Sequence, residues 1–208
     1  MADTEQKTDN TEEKIRQVAK RLFTERGYVG TKIRDVAEAA DVNIALLNYY
    51  FHSKERLYES IVTENFQEYK NDVGKVLNAP GLSLEVRIRR YVAQMLDALK
   101  TNPDLPFFVM NEGRNNPEFC HRFFASHSET LDHSLMAQQL REEAQAGTIR
   151  SIDLFTFDYV LHAQLLMPFI QQPILCQVEG MCGDRFDQFL DELKQVVPNM
   201  MMAYLRER

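Results

Sequence analysis

Residues 31–57, TKIRDVAEAADVNIALLNYYFHSKERL, constrain the fold more than any other part of the chain. Ile33, Val36, Ala37 and Ala40 recur at i, i+3, i+4 and i+7, one apolar face of a helix. Thr31 is placed to cap that helix, its hydroxyl accepting from a first-turn amide. The adjacent Ala39 and Ala40 let a second backbone approach closely. Asp41 and Val42 form a turn, with Val42 plugging the corner between two crossing helices. Asn43 caps the next helix, whose Leu47 and Phe51 face inward at i, i+4, and Ser53 caps a third that starts at Lys54. Two short helices joined this tightly read as a helix-turn-helix, whose second member fits a DNA major groove. Helical hairpins are common, and the pattern also fits ordinary packing with polar residues turned to water.

On the first reading, residues 43–50 are the groove helix. Its outward side carries Asn43, Ile44, Ala45, Leu46 and Asn48, and with Arg34 these form the candidate base-side set. Asparagine can pair with a base edge, and small or apolar side chains can touch a thymine methyl. Thr31, Lys32, Tyr49 and Lys54 form the candidate phosphate set. Lys54 adds its charge to the free amides at a helix start, and both attract an anion.

The stretch resembles the DNA-binding domain of the TetR/AcrR family of bacterial transcriptional regulators. The matching residues are Gly27-Tyr28, Thr31, Ile33, Asp35-Val36-Ala37, Ala40, Val42, Leu47, Tyr49, Phe51, Ser53-Lys54-Glu55 and Leu57. The resemblance covers about the first quarter of the chain. Ala45 stands where the family often has Gly, and Asn48 where it often has Tyr; both lie on the groove side and bear on which operator is read. The resemblance implies an all-α, two-domain dimer, with a C-terminal body that holds a small effector and sets the spacing of the DNA-binding heads.

Composition is compatible with a DNA reader only through its distribution. The 208 residues carry a formal net charge of -7. Residues 11–58 hold nine Lys/Arg against seven Asp/Glu, a formal +2, whereas residues 59–208 hold 14 against 21, which is -7. The acidic body discourages non-specific docking through that end. No apolar run reaches the roughly 18 residues of a membrane span. The opening MADTEQKTDN resembles neither a signal nor a transit peptide, which predicts a cytoplasmic protein. Cys120, Cys176 and Cys182 are odd in number and irregular in spacing, which argues against a disulfide framework in that compartment; a redox-sensing thiol is the weaker alternative to inert cysteines.

Taken in order, residues 1–9 read as a disordered tail, 10–53 as the DNA-binding domain and 54–208 as a helical regulatory and dimerisation domain. Asn10 with Glu13 forms a capping box for a first helix ending at Gly27. A long helix runs from Lys54 to about Leu77. Ser83 opens another, with Val86, Tyr91, Val92, Met95, Leu96 and Leu99 inward; Arg87, Arg89 and Arg90 read as a solvated face paired with local acids, with a second nucleic-acid patch as the weaker alternative. A helix from Pro117 runs towards Gly147, and one capped by Asp153 ends between Pro168 and Pro173. The last starts near Asp184, and Pro198 should kink it. No strand is called for.

The wide apolar face of the last helix exceeds what its own domain needs. Phe189, Leu193, Val196, Val197, Met200, Met201 and Tyr204, with Phe155 and Leu166 of the 153–171 helix, form the candidate dimer interface, a four-helix contact about a two-fold axis. A two-fold protein presents two groove helices to a near-palindromic site. Tyr91, Met95, Phe108, Asn111, Phe123, His127, Tyr159 and His162 are the candidate pocket for an aromatic or lipophilic effector, set against plain core packing of the same residues. His121, His127 and His133 recur every six residues, which puts successive rings on different helical faces and gives no metal site. No cofactor motif or catalytic constellation is present, so the sequence predicts a regulator and not an enzyme. The rivals are an activator, a regulator controlled by a protein partner, and a dimeric interaction protein without DNA binding.

Overall fold

The computed structural model describes residues 2–107 and 129–207 with isolated positions 110, 118 and 121, and the side chains among them except at 2–10, 24 and 65–72. All regular structure among the described residues is helical. The helices are α1 (Ala2–Gly30), α2 (Ile33–Ala39), α3 (Ile44–Phe51), α4 (Lys54–Leu77), α5 (Leu84–Thr101), α6 (Leu135–Gln145), α7 (Leu154–Glu179) and α8 (Asp184–Arg206). The chain divides into two compact units, Met1–Glu68 and Tyr69–Arg208. The division falls inside α4, not at its start.

In the first unit α1 is continuous from Ala2, where the sequence predicts a disordered tail and a cap at Asn10; Asn10 lies within the helix. Gly27 breaks its geometry (φ 71, ψ 170), as a residue without Cβ can, but the chain resumes helical form as far as Gly30. Ile15, Ala19, Leu22 and Phe23 of α1, Val36 and Ala37 of α2, Leu47 and Phe51 of α3, and Leu57, Tyr58, Ile61 and Val62 of α4 are buried. The tyrosines are part of this core: Tyr28 and Tyr58 have ring centroids 4.9 Å apart, and Phe23 meets Tyr58 edge-on at 4.7 Å.

In the second unit α5 packs against α6, α7 and α8. Its buried stripe is Leu84, Ile88, Tyr91, Val92, Leu96 and Leu99, joined by Phe157, Leu161 and Leu165 of α7 and Leu190, Val197 and Leu205 of α8. Val86 is turned outward, 39% exposed, and Arg87 is turned inward, 1% exposed. This reverses the predicted solvated arginine face at that position. The reason is the end of α4. Arg87 Nη1 donates to the carbonyls of Val76 and Leu77, both at 2.9 Å, and Nε donates to Gln139 Oε1 at 2.9 Å. Those carbonyls are among the last of α4, which no helical amide can satisfy, and the negative end of the helix dipole favours a cation there. Gln139 Nε2 in turn donates to Leu82 O at 2.6 Å. Arg89 remains at the surface, bonded to Glu85 and Asn199.

Three further boundaries differ from the sequence prediction. The helix leading to Gly147 is broken at His133–Ser134, because the Ser134 hydroxyl accepts from Ala137 N and donates to Leu131 O, a stop and a start in one residue. Helix α7 runs through Pro168 and Pro173 instead of ending there, and terminates at left-handed Gly180, where Met181 N donates to Leu175 O. Cys176 and Cys182 are joined in a disulfide across this α7–α8 turn, contrary to the expectation of unpaired cysteines. The turn returns the chain so that the two Cα atoms lie 4.9 Å apart, inside bridging range. Pro198 stays within α8 and is buried.

Candidate nucleic-acid interface

The turn between α2 and α3 is built by backbone bonds. Asp41 takes positive φ (52°), a conformation that Asp tolerates better than most residues, and Val42 N returns to Ala37 O at 3.0 Å while Asp41 N bonds Glu38 O. Asn43 caps α3 as expected, its Oδ1 accepting from Leu46 N at 2.7 Å. Leu47 and Phe51 anchor α3 in the core at 0% and 5% exposure. The opposite side is open: Asn43, Ile44, Ala45, Asn48 and Tyr49 are exposed, Tyr49 by 72%, and Leu46 is half-buried. Arg34 and Lys32 are exposed on and beside α2. Five of the six base-side candidates are thus open to solvent and Leu46 is half-buried, as is Lys54 among the phosphate candidates.

Two roles change. Thr31 is fully buried, and its hydroxyl is directed at the carbonyls of Gly27 (2.8 Å) and Leu22 (3.1 Å) of α1. Its side chain cannot reach a phosphate, nor does it cap α2, whose N-cap is Lys32 without a side-chain bond. The strain-tolerant break at Gly27 leaves carbonyls that a neighbouring hydroxyl satisfies. Asn43 spends its carbonyl oxygen on the α3 cap, so toward a base it has only its amide donors. Asn48 keeps the full amide, which suits the bidentate reading of adenine.

The α3–α4 junction is a tight turn. Ser53 N donates to Phe51 O at 2.7 Å across His52, which takes φ 64, ψ -43. This is close to the rare γ-turn, a costly conformation for a residue with Cβ. Ser53 Oγ then accepts from Arg56 N at 3.2 Å, capping α4. Lys54 Nζ lies over the Tyr28 ring, 4.0 Å from its centroid, and burial draws its pKa below the ordinary lysine value against the opposing effect of Glu55. Tyr28 Oη donates to Glu55 Oε1 at 2.9 Å. The Glu55 carboxyl is held below its usual range, by its own backbone amide first and then by bonds from Ser53 and Tyr28.

In the second unit the pocket candidates separate. Phe108, Asn111, Phe123 and His127 lie outside the described residues. Tyr91 and Met95 are buried, but Tyr159 is 65% exposed and stacks on Phe155 at 6.1 Å, which removes it from any interior pocket. Tyr91 Oη and His162 Nε2 are 2.9 Å apart, and His162 Nδ1 faces Asp158 Oδ1 at 3.1 Å and Asp158 O at 2.9 Å. Burial opposes the imidazolium, but the hydrogen bonds and charge of Asp158 outweigh it, and the pKa of His162 is raised above 6.5. Asp158 was not a sequence candidate, although its i, i+4 spacing from His162 could have marked it. Two cavities lie elsewhere, one of about 450 Å³ between α6 and the start of α7, and one of about 440 Å³ beside Gly147 and Arg206.

Of the dimer candidates, Phe155 (76%), Val196 (46%), Met200 (56%) and Tyr204 (46%) are exposed, and Leu166, Phe189 and Leu193 are half-buried. Val197 and Met201 are core residues of their own unit, at 0% and 3%, so the outward stripe of α8 is Val196, Met200 and Tyr204 at i, i+4, i+8. On α7, Val160, Met167, Ile174 and Val178 add to the open apolar surface.

Residues 15–61 match the family model for bacterial regulatory proteins of the tetR family. The probable HTH-type transcriptional regulator YttP of Bacillus subtilis is 26% identical over 171 residues, 81% of this chain and 82% of that protein. The biofilm operon icaADBC negative transcriptional regulator IcaR of Staphylococcus aureus is 39% identical over 61 residues, 29% of this chain and 32% of that protein. Two solved structures share the fold: a putative transcriptional regulator from Saccharomonospora viridis in complex with choline (TM-score 0.72, 20% identity, covering 96% of this chain and 100% of that one) and the FadR regulator of Bacillus subtilis in complex with stearoyl-CoA (TM-score 0.66, 16% identity, covering 92% and 98%). No described helix is long and apolar enough to cross a membrane.

Proposed function

We propose that this chain, whose residues 15–61 form a tetR-family DNA-binding domain, is a homodimeric transcriptional repressor that a small lipophilic or aromatic effector releases from a near-palindromic operator. The observation that carries the DNA-binding part is the two-sidedness of α3. Leu47 and Phe51 fix the helix in the core while Asn43, Ile44, Ala45 and Asn48 present an open edge of amide and small apolar groups. Arg34 and Asn48 are the foremost base readers, and Lys32, Tyr49 and Lys54 hold phosphates. The exposed apolar stripe of α8 with the outward residues of α7 supports the dimer. IcaR and the repressor NicS of Pseudomonas putida, named as negative regulators, favour repression. The stearoyl-CoA and choline complexes of chains with this fold favour a small effector, which acts by preferring the state that cannot grip DNA.

Selection of bound duplexes from a random-sequence pool, followed by gel shifts, tests the reading. The wild type should enrich a near-palindrome and bind it as a dimer. Lys54→Ala should weaken binding to every duplex and reduce the salt slope by roughly one unit per protomer. Asn48→Ala should change the preferred sequence. No enrichment, or a monomer at micromolar concentration by light scattering, contradicts it.

A further inference from the structure

Lys54 stands in a position that local electrostatics disfavours. It is the first residue of α4, where the helix dipole is positive and a carboxylate would be the stabilising choice. Lysine also carries about 2 kcal/mol of rotamer freedom, lost when its ammonium is fixed against a phosphate. Two groups meet at this helix start, and one residue handles both. The Tyr28 ring lies under the Lys54 ammonium at 4.0 Å, and the Tyr28 hydroxyl bonds Glu55 Oε1 at 2.9 Å. Tyr28 itself is fixed by the core, with its ring 6.1 Å from Phe23 and 4.9 Å from Tyr58.

We propose that Tyr28 is the positioning residue of the phosphate contact: its ring seats the Lys54 ammonium at the start of α4, and its hydroxyl keeps the adjacent Glu55 carboxylate from neutralising it. The inference rests on the reading of this unit as a DNA binder. A lysine held on an aromatic face keeps its full charge and most of its donors outward, because the ring attracts the cation without accepting its protons as a carboxylate does. An acid engaged by a phenol is likewise less free to swing onto the neighbouring base. The positive end of α4 and the seated ammonium then act on one phosphate together.

The test is a double-mutant cycle read by fluorescence anisotropy on a 30-base-pair duplex of mixed sequence, titrated at several salt concentrations. A phosphate contact is sequence-independent, so no operator is needed. Tyr28→Leu, which removes ring and hydroxyl, should weaken binding about 3- to 10-fold, the range of one lost cation–π seat. In a Lys54→Met background the same change should cost nothing further. Tyr28→Phe should lose affinity mildly, and Glu55→Gln should restore it. Thermal melting checks the packing role of the ring: a purely structural Tyr28 gives the same loss of affinity with Lys54 or Met at position 54, and that result overturns the proposal. A wild-type chain with no affinity for the duplex at low salt overturns the DNA-binding reading as well, whereas a wild-type chain that binds normally alongside an unaffected Tyr28→Leu overturns this inference alone.

Discussion

Replacing Arg87 by methionine should be among the most damaging single changes to the second unit. A solvated arginine truncated on a helix surface costs within about 0.5 kcal/mol. Arg87 is instead buried, and its guanidinium satisfies Val76 O, Leu77 O and Gln139 Oε1. Methionine conserves much of the volume and spares the desolvation of a cation, which is itself costly; burial already draws the guanidinium pKa down. What it cannot do is satisfy the acceptors. Gln139 can rotate, but the two α4 carbonyls are backbone and stay where they are. Val76 O keeps the long bond from Ala79 N at 3.4 Å, so Leu77 O is the one left without Arg87. Stranding it costs up to about 3 kcal/mol and the apolar side chain returns about 1 kcal/mol, so the net loss is about 2 kcal/mol. At 2–4 °C per kcal/mol for a chain of this size, melting should fall by roughly 4–8 °C. Circular dichroism melts and urea titrations of Arg87→Met against Arg87→Lys and wild type are the assay. Lysine restores one of the bonds but lacks the planar fork, and should lie between them. A methionine variant that melts within about 2 °C of wild type would refute the assignment of Arg87 as the pin at the end of α4.

The His162–Asp158 pair should make stability depend on pH. The folded pKa of His162 lies above its unfolded value near 6.5, so the contribution is fully present below pH 6.5 and is lost as pH rises through the folded pKa. Asp158→Asn should therefore lower the melting temperature most near pH 6, with the gap closing in alkaline buffer; a gap that widens with pH contradicts the assignment. The Cys176–Cys182 bridge closes a loop of only seven residues, for which chain entropy gives about 2.4 kcal/mol. Dithiothreitol, or Cys182→Ser, should lower melting by a few degrees, and thiol-labelling mass spectrometry should find both sulfurs protected before reduction.

The first unit was legible in the sequence because its signals are local. Asn43, Ser53 and the α2 face announce themselves by spacing within a single turn, and the structure has Asn43 and Ser53 as caps. Thr31 misled because its residue type fits two jobs. A hydroxyl before a helix caps it unless a better acceptor comes near, and the Gly27 break supplies one from nine residues upstream or less. In the second unit the errors were non-local. Nothing around Arg87 in the sequence announces the carbonyls of Val76 and Leu77, eleven and ten residues away, or Gln139 across the fold. Val197 and Met201 share a wide apolar face with Val196 and Met200, and periodicity cannot say which edge of it meets the chain's own core. Prolines 168 and 173 read as helix ends because propensity weighs them heavily, whereas packing on α5 outweighs them.

Those prolines shape the mechanics of two long helices of the second unit. Pro168, Pro173 and Pro198 remove the amides that would have bonded Gln164, Phe169 and Lys194. Long as they are, α7 and α8 are thus jointed struts and not stiff ones, with bending compliance gathered within single turns at 164–173 and 194–198. A force applied at one end of either strut is spent at those joints first.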